Sequence, residues 1–297
     1  MSFSTEVKNE LCGISMNRAC CTRAEAYGAL LHASVFSHRE IRLSAENAVV
    51  VRRLQALLQR AFFVESEAEK CGRKQQIVID DASRIGRIFD ALGYDRKSHI
   101  TYHLNRNVME EDCCIASFLR GAFLMAGTVA GPDKKSHLEL KSTHQSRVGE
   151  ATSLMLDLGL SPKQAKRANA LLLYFKDGAS VEDFLTRIGA PHAAMELMQA
   201  KVEKNLRNTI NRQVNCETAN LVKAADASAR QIAAIQSVLK GGGEDAFPES
   251  LRETVRLRLR YPTDSLTELA RRFDPPISKP GLSHRLKKIT EFAAKEN

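Results

Sequence analysis

Two hydrophobic periods alternate along this chain, and they do so twice. Arg23–Ser34 is dense in small residues at Ala24, Ala26, Gly28, Ala29 and Ala33, and Ile115–Gly127 repeats the feature with Ala116, Gly121, Ala122 and Ala126. Such stretches predict helices that approach a neighbour closely. A period of two follows each of them, in which Ile41 and Leu43 alternate with charges, and later Leu138 and Leu140 alternate within His137–Lys141. A helical stripe comes next in each half: Val51, Leu54, Leu57, Leu58 and Ala61, then Val148, Ala151, Met155 and Leu158. Second hairpins are predicted around Gln76–Asp80 and Leu171–Phe175, and helices Ala82–Leu92 and Val181–Ile188 close the units. Gly28 and Gly121 stand 93 positions apart. Each half therefore reads as helix, hairpin, helix, hairpin, helix, an imperfect repeat of α+β class. Packed through their small-residue helices, the two halves would join their exposed sheet faces into one saddle.

The pattern from Ala190 to Leu239 is helical, with Ile232, Ile235 and Leu239 in one stripe. Within it, Ala193–Arg212 carries Lys201, Lys204, Arg207 and Arg212, which read either as a solvated face or as additional contacts to a polyanion. Lys240-Gly241-Gly242-Gly243-Glu244-Asp245 predicts a flexible linker. The expected organisation is an N-terminal segment over 1–21, the duplicated domain over 22–190, a helical extension over 191–239, a linker over 240–247 and a last domain over 248–297.

That last domain predicts three short helices. Leu251, Val255 and Leu259 mark the first, Pro248 suits its start, and Tyr261-Pro262 stops it. Ser265 and Glu268 have the spacing of a capping box before the stripe Leu266, Leu269, Ala270, Phe273. Asp274-Pro275-Pro276 breaks the second helix. Ser278 can cap a third, with Pro280 tolerated in its first turn and Leu282, Leu286, Ile289 and Ala293 on one side. Pro275–Thr290 holds Lys279, Arg285, Lys287 and Lys288 and no acid. Three helices ending in a basic, amphipathic one describe a helix-turn-helix. Ser283, His284 and Arg285 could reach base edges and the lysines phosphates. The competing readings are a helical protein-interaction module, and a packing role for His284.

Composition narrows the partner. The 297 residues carry a formal net charge of +9, and 43% are hydrophobic, which fits a globular chain of two or three domains that favours a polyanion. No apolar run is long enough for a membrane helix, and MSFSTEVKNELCG has no signal-like core, so a cytoplasmic location is expected. Of seven cysteines, Cys20–Cys21 and Cys113–Cys114 are adjacent pairs and none stands in C-x-x-C, so the expectation is buried reduced thiols, no metal and no cofactor.

Four segments in order resemble the WhiA family of bacterial DNA-binding proteins: SFSTEVKNEL, Phe118–Gly127, Asn211–Asn220 and Ile277–Leu286. The resemblance implies a duplicated LAGLIDADG homing-endonuclease-like αββαββα domain followed by an all-α helix-turn-helix domain. It implies sequence-selective binding of double-stranded DNA, transcription regulation, and a link to sporulation, cell division and chromosome segregation at the nucleoid. It carries DNA contact onto Lys279, Ser283, His284, Arg285, Lys287 and Lys288. The prolines of the turn depart from the usual form and leave the start of the recognition helix open. In active LAGLIDADG enzymes the eighth position of each motif is a metal-holding acid. Here those positions are Ala33 and Ala126, and Glu25 and Asp133 lie outside the motifs, so no catalytic residues and no enzyme are expected. The alternatives are a metal-dependent endonuclease, or a division or nucleoid scaffold working through a protein partner of the transcription or division machinery. The saddle would either add phosphate contacts or bind protein, and no membrane partner is expected.

Overall fold

A computed structural model describes residues 1–95, 103–109, 111–142, 144–167 and 170–296. The first half runs α1 (Phe3–Cys12), α2 (Ala19–Leu31), β1 (Val35–Phe36), β2 (Ile41–Ala45), α3 (Ala48–Phe62), β3 (Ala68–Cys71), β4 (Lys74–Ile79) and α4 (Ala82–Ala91). The second runs α5 (Asp112–Ala126), β5 (Gly127–Val129), β6 (Leu138–Ser142), α6 (Gln145–Asp157), β7 (Lys163–Arg167), β8 (Ala170–Phe175) and α7 (Gly178–Ile188). Each half forms a four-stranded antiparallel sheet, in the orders β1-β2-β4-β3 and β5-β6-β8-β7. The period-two residues fix the register. Ile41 lies opposite Ile79 and Leu43 opposite Ile77, while Leu138 faces Phe175 and Leu140 faces Leu173. All eight are buried against helices, which leaves the alternate side chains on the other face of each sheet.

The two halves meet at α2 and α5. A Cβ added at Gly28 would stand 2.0 Å from the Phe118 carbonyl oxygen, and one added at Gly121 would stand 1.9 Å from that of Glu25. The two contacts are the same contact, related by the 93-residue offset. Backbone approaches backbone here, so no side chain fits at either position. Between the helices the Glu25 carboxylate is almost wholly buried. It accepts from Arg53 Nε and Nη2, both at 2.8 Å, and from Arg120 Nε at 2.9 Å. Arg53 also donates to the Ile14 carbonyl, and Arg120 donates to the Ile188 carbonyl and Ser117 Oγ, both at 2.9 Å. The charges are thus paired and hydrogen-bonded, as burial requires.

The stretch expected as an N-terminal segment belongs to this core. Ser2 caps α1 through the Thr5 amide, and Val7 and Leu11 are fully buried where α1 packs on α3 and α5. The Glu10 carboxylate accepts from the His192 and Ala193 amides at 2.9 and 3.0 Å, which caps the next helix, α8 (Pro191–Gly242).

The chain divides into compact units at Met1–Lys204 and Asn205–Asn297. The second unit holds the end of α8 with α9 (Glu249–Arg260), α10 (Leu266–Arg271) and α11 (Lys279–Glu296). Its core joins Ile235 and Val238 of α8 to Phe247, Val255, Leu269, Phe273, Leu282, Leu286 and Ile289. The expected linker over 240–247 is corrected accordingly. Residues 240–242 continue α8, Gly243 turns with φ 70° and donates to the Leu239 carbonyl at 3.1 Å, and Phe247 is buried. The positive φ makes Gly243 a helix stop, which shares its composition with a linker.

Two outcomes follow. Gly28→Ala should cost more than the ~1–3 kcal/mol of ordinary overpacking, because a backbone oxygen cannot rotate away. Urea unfolding should show it, with Gly149→Ala, where the added Cβ meets nothing within 4 Å, close to neutral. A fragment over 246–297 lacks Ile235 and Val238 and should fail to melt cooperatively by circular dichroism, whereas 205–297 should do so.

Candidate nucleic-acid interface

The α10-turn-α11 pair is set by two caps. Ser265 Oγ accepts from the Glu268 amide at 3.3 Å while Glu268 Oε2 accepts from the Ser265 amide at 2.9 Å, which completes the expected capping box. Ser278 Oγ accepts from the Gly281 amide at 3.2 Å, and the Ser278 carbonyl accepts from the Leu282 amide at 3.0 Å. Helix α11 therefore starts at Lys279 with Pro280 in its first turn, where an amide is not required. Arg258, almost wholly buried, ties α9 to the turn and to α8: Nη1 donates to the Asp264 carbonyl and Nε to Gln231 Oε1, both at 2.9 Å.

With Leu282, Leu286, Ile289 and Ala293 buried, helical geometry turns His284, Lys287 and Lys288 outward. Lys279, Ser283, His284, Lys287 and Lys288 are all exposed. His284 is not a packing residue here. Arg285 is half-buried, with its guanidinium 5.4 Å from the Phe273 ring centre, so it carries packing as well as charge. Lys287 Nζ lies 3.6 Å from Glu291. Ser283, Leu286, Lys287 and Thr290 face a groove of about 510 Å³ whose other wall is Ala227, Arg230, Gln231 and Ala234 of α8. Arg230 joins the basic set by tertiary packing alone.

Of the four α8 candidates, Lys201 is engaged, with Nζ 3.5 Å from Glu182 Oε1. Lys204, Arg207 and Arg212 are exposed.

The sheet faces opposite the core differ in sign. On the first, Gln76 and Val78 border Glu65, Glu67, Glu69 and Asp80, with Arg84 beside them. On the second, Lys163 lies opposite Tyr174 and Lys141 opposite Leu172, Arg167 pairs Ala170, and Lys176 Nζ sits 5.0 Å from the Tyr174 ring centre. Between the sheets, at the C-terminal ends of α2 and α5, lies a cleft of about 400 Å³. Ala33, His32, Lys74, Lys141 and Arg147 line it, and among the described residues no carboxylate does. Burial lowers the Arg147 pKa, and the neighbouring Tyr94 and Glu150 charges partly offset this. His32 Nδ1 donates to the Gly28 carbonyl at 2.9 Å, and burial brings its pKa down to about 4.

Comparison with known proteins decides the family. A model of the WhiA C-terminal HTH domain matches residues 210–293, and one of the WhiA LAGLIDADG-like domain matches residues 115–207. A probable cell division protein WhiA from Ruminiclostridium cellulolyticum is 36% identical over 305 residues, covering 99% of this chain and 97% of that protein. The chain belongs to the WhiA family. A second relative of the same description, from Alkaliphilus metalliredigens, is 35% identical over 100% of this chain and 98% of its own. The crystal structure of full-length DUF199/WhiA from Thermatoga maritima shares the fold, with a TM-score of 0.60 at 24% identity and 99% coverage of each chain.

The WhiA helix-turn-helix match reaches back into α8, in keeping with Ile235 and Val238 in that unit's core. The pattern of the sequence concealed Arg230, the buried Glu25 pairings and the cation-lined cleft. Their partners lie far away in sequence, and only Glu25 among small residues hinted at a special role.

His32 should make stability acid-sensitive. Its folded pKa lies below the ordinary 6.5, so the unfolded chain takes up a proton that the folded chain does not. Its contribution is constant above about pH 6.5 and declines as pH falls towards 4, by at most about 3 kcal/mol. In urea titrations across that range, His32→Gln should flatten the decline. An unchanged slope would remove His32 as its source.

Proposed function

We infer that this protein binds double-stranded DNA sequence-selectively through α11 and regulates transcription, in connection with cell division and sporulation, at the nucleoid. The observation that carries the reading is the outward set Lys279, Ser283, His284, Lys287 and Lys288 on a capped, rigidly seated helix. Lysines on such a face neutralise phosphates, while Ser283 and His284 supply the hydrogen-bonding groups that read base edges. Arg285 is held by Phe273 at the flank and positions the helix against backbone as much as it reads sequence. Lys163, Arg167 and Lys176 give the second half of the saddle a phosphate-compatible face, with Lys141 shared with Glu139 at 3.4 Å, whereas the acids of the first half oppose one. The domain arrangement follows the two compact units, with the LAGLIDADG-like domain as a non-catalytic body.

Three measurements test this reading. In salt titrations of DNA affinity, Lys287→Ala and Lys288→Ala should each lower the slope by about one, for every sequence tried. Lys201→Ala should leave it unchanged, because that ammonium faces the nearly buried Glu182, whereas the Glu291 beside Lys287 is itself exposed and yields to a phosphate more readily. Equal slopes for all three variants would take α11 out of the interface. Purified protein should cut no DNA with magnesium, since Ala33 stands in a cleft lined by cations. Metal-dependent nicking abolished by a substitution in this chain would reverse that conclusion.

A further inference from the structure

The close crossing of α2 and α5 has a consequence at the opposite end from the cleft. Each helix begins with two adjacent cysteines, Cys20–Cys21 and Cys113–Cys114, at positions related by the same 93-residue offset as Gly28 and Gly121. Adjacent residues of one helix point about 100° apart, so neither pair can close around an ion alone. Two helix starts held side by side remove that limit, because each has to supply only two ligands. The four Sγ atoms lie within 4.8 Å of one another.

We propose that Cys20, Cys21, Cys113 and Cys114 form a tetrathiolate zinc site that clamps the two halves of the N-terminal unit. It departs from the expectation, drawn from spacing, of buried reduced thiols and no metal. Zinc–sulfur bonds of about 2.3 Å place tetrahedral sulfurs about 3.8 Å apart, so the cluster needs to contract by an ångström or less. The surroundings suit the charge. Binding converts four thiols and a Zn²⁺ ion into a dianionic centre and releases four protons. The positive ends of two helix dipoles face that charge. Neither α2 nor α5 is capped by a side chain at its start, a feature shared in this unit by α6, whereas α1, α3, α4 and α7 each are. Arg18 Nη1 lies 3.6 Å from Cys113 Sγ. An adverse group, Glu111, sits 3.5 Å from the same sulfur and 4.0 Å from the Arg18 guanidinium, which offsets it. Cys114 is buried and Cys20 exposed, so the site is anchored inside and open to an entering ion.

The test uses the full chain, purified under reductant without a polyhistidine tag. Elemental mass spectrometry should find about one zinc per chain, as a closed four-thiolate site requires. The double variant C20S/C113S should lose it, while C71S/C216S, at exposed cysteines elsewhere, should keep it. A serine variant that fails to fold would also lose metal, so the wild-type chain provides a second readout. Stripped by a chelator, it should melt at lower temperature. Cobalt(II) added back should give the intense sulfur-to-metal charge-transfer absorption of a tetrathiolate, displaced by zinc. Substoichiometric zinc with no such band would overturn the proposal. So would iron in place of zinc, or disulfides joining Cys20–Cys21 to Cys113–Cys114 in metal-free protein freshly purified under reductant.

Discussion

The N-terminal unit depends on one constraint, the backbone contact between α2 and α5 at Gly28 and Gly121. It fixes the distance between two four-stranded sheets that share no strand. Everything chemical in this unit lies along the same helix pair. Its start gathers four sulfurs, its middle buries Glu25 between Arg53 and Arg120, and its end opens into the cation-lined cleft. The buried carboxylate and its guanidiniums are satisfied only at this spacing, since Arg53 reaches Glu25 from α3 and Arg120 reaches it from α5. A slip of the crossing would strand charges in the core, which gives the pairing a role in specifying register.

The C-terminal unit uses a different device. Its three short helices could not bury enough surface alone, and the last turns of α8 complete their core through Ile235 and Val238. Arg258, Gln231 and the Asp264 carbonyl then lock the turn ahead of α10. The basic face of α11 is presented by an apolar stripe on the reverse side of the same helix, so its seating and its exposed charge come from one periodicity.

Features written in local periods were legible in the sequence. The doubled helix–hairpin pattern, the capping box at Ser265 and the outward lysines of α11 all follow from residues within a few positions of one another. Phe3, Val7 and Leu11 had the spacing to reveal α1 as core, but the opening stretch read as a mere segment. Lys240–Asp245 misled because a glycine helix stop and a glycine linker have the same composition, and only the φ of Gly243 separates them. The cysteine cluster was invisible for a deeper reason: its geometry belongs to a symmetry between distant residues, and ligand-spacing rules assume that one segment supplies each pair. The opposite charges of the two sheet faces required the strand register, which no single strand encodes.

The cleft that Ala33 shares with Lys74, Lys141 and Arg147 bears on evolutionary reversibility. A nuclease ancestor that had lost only its two acids could regain activity by two substitutions. Here Ala33 is faced by cations. An aspartate placed at Ala33 would find ammonium and guanidinium partners and be neutralised by them, leaving little affinity for magnesium. Return would require removing the basic residues as well, and each such removal would pass through an intermediate with a weaker hold on phosphate and no catalysis to offset it. In that sense the electrostatics around Ala33 oppose a magnesium-holding carboxylate at this place in the fold.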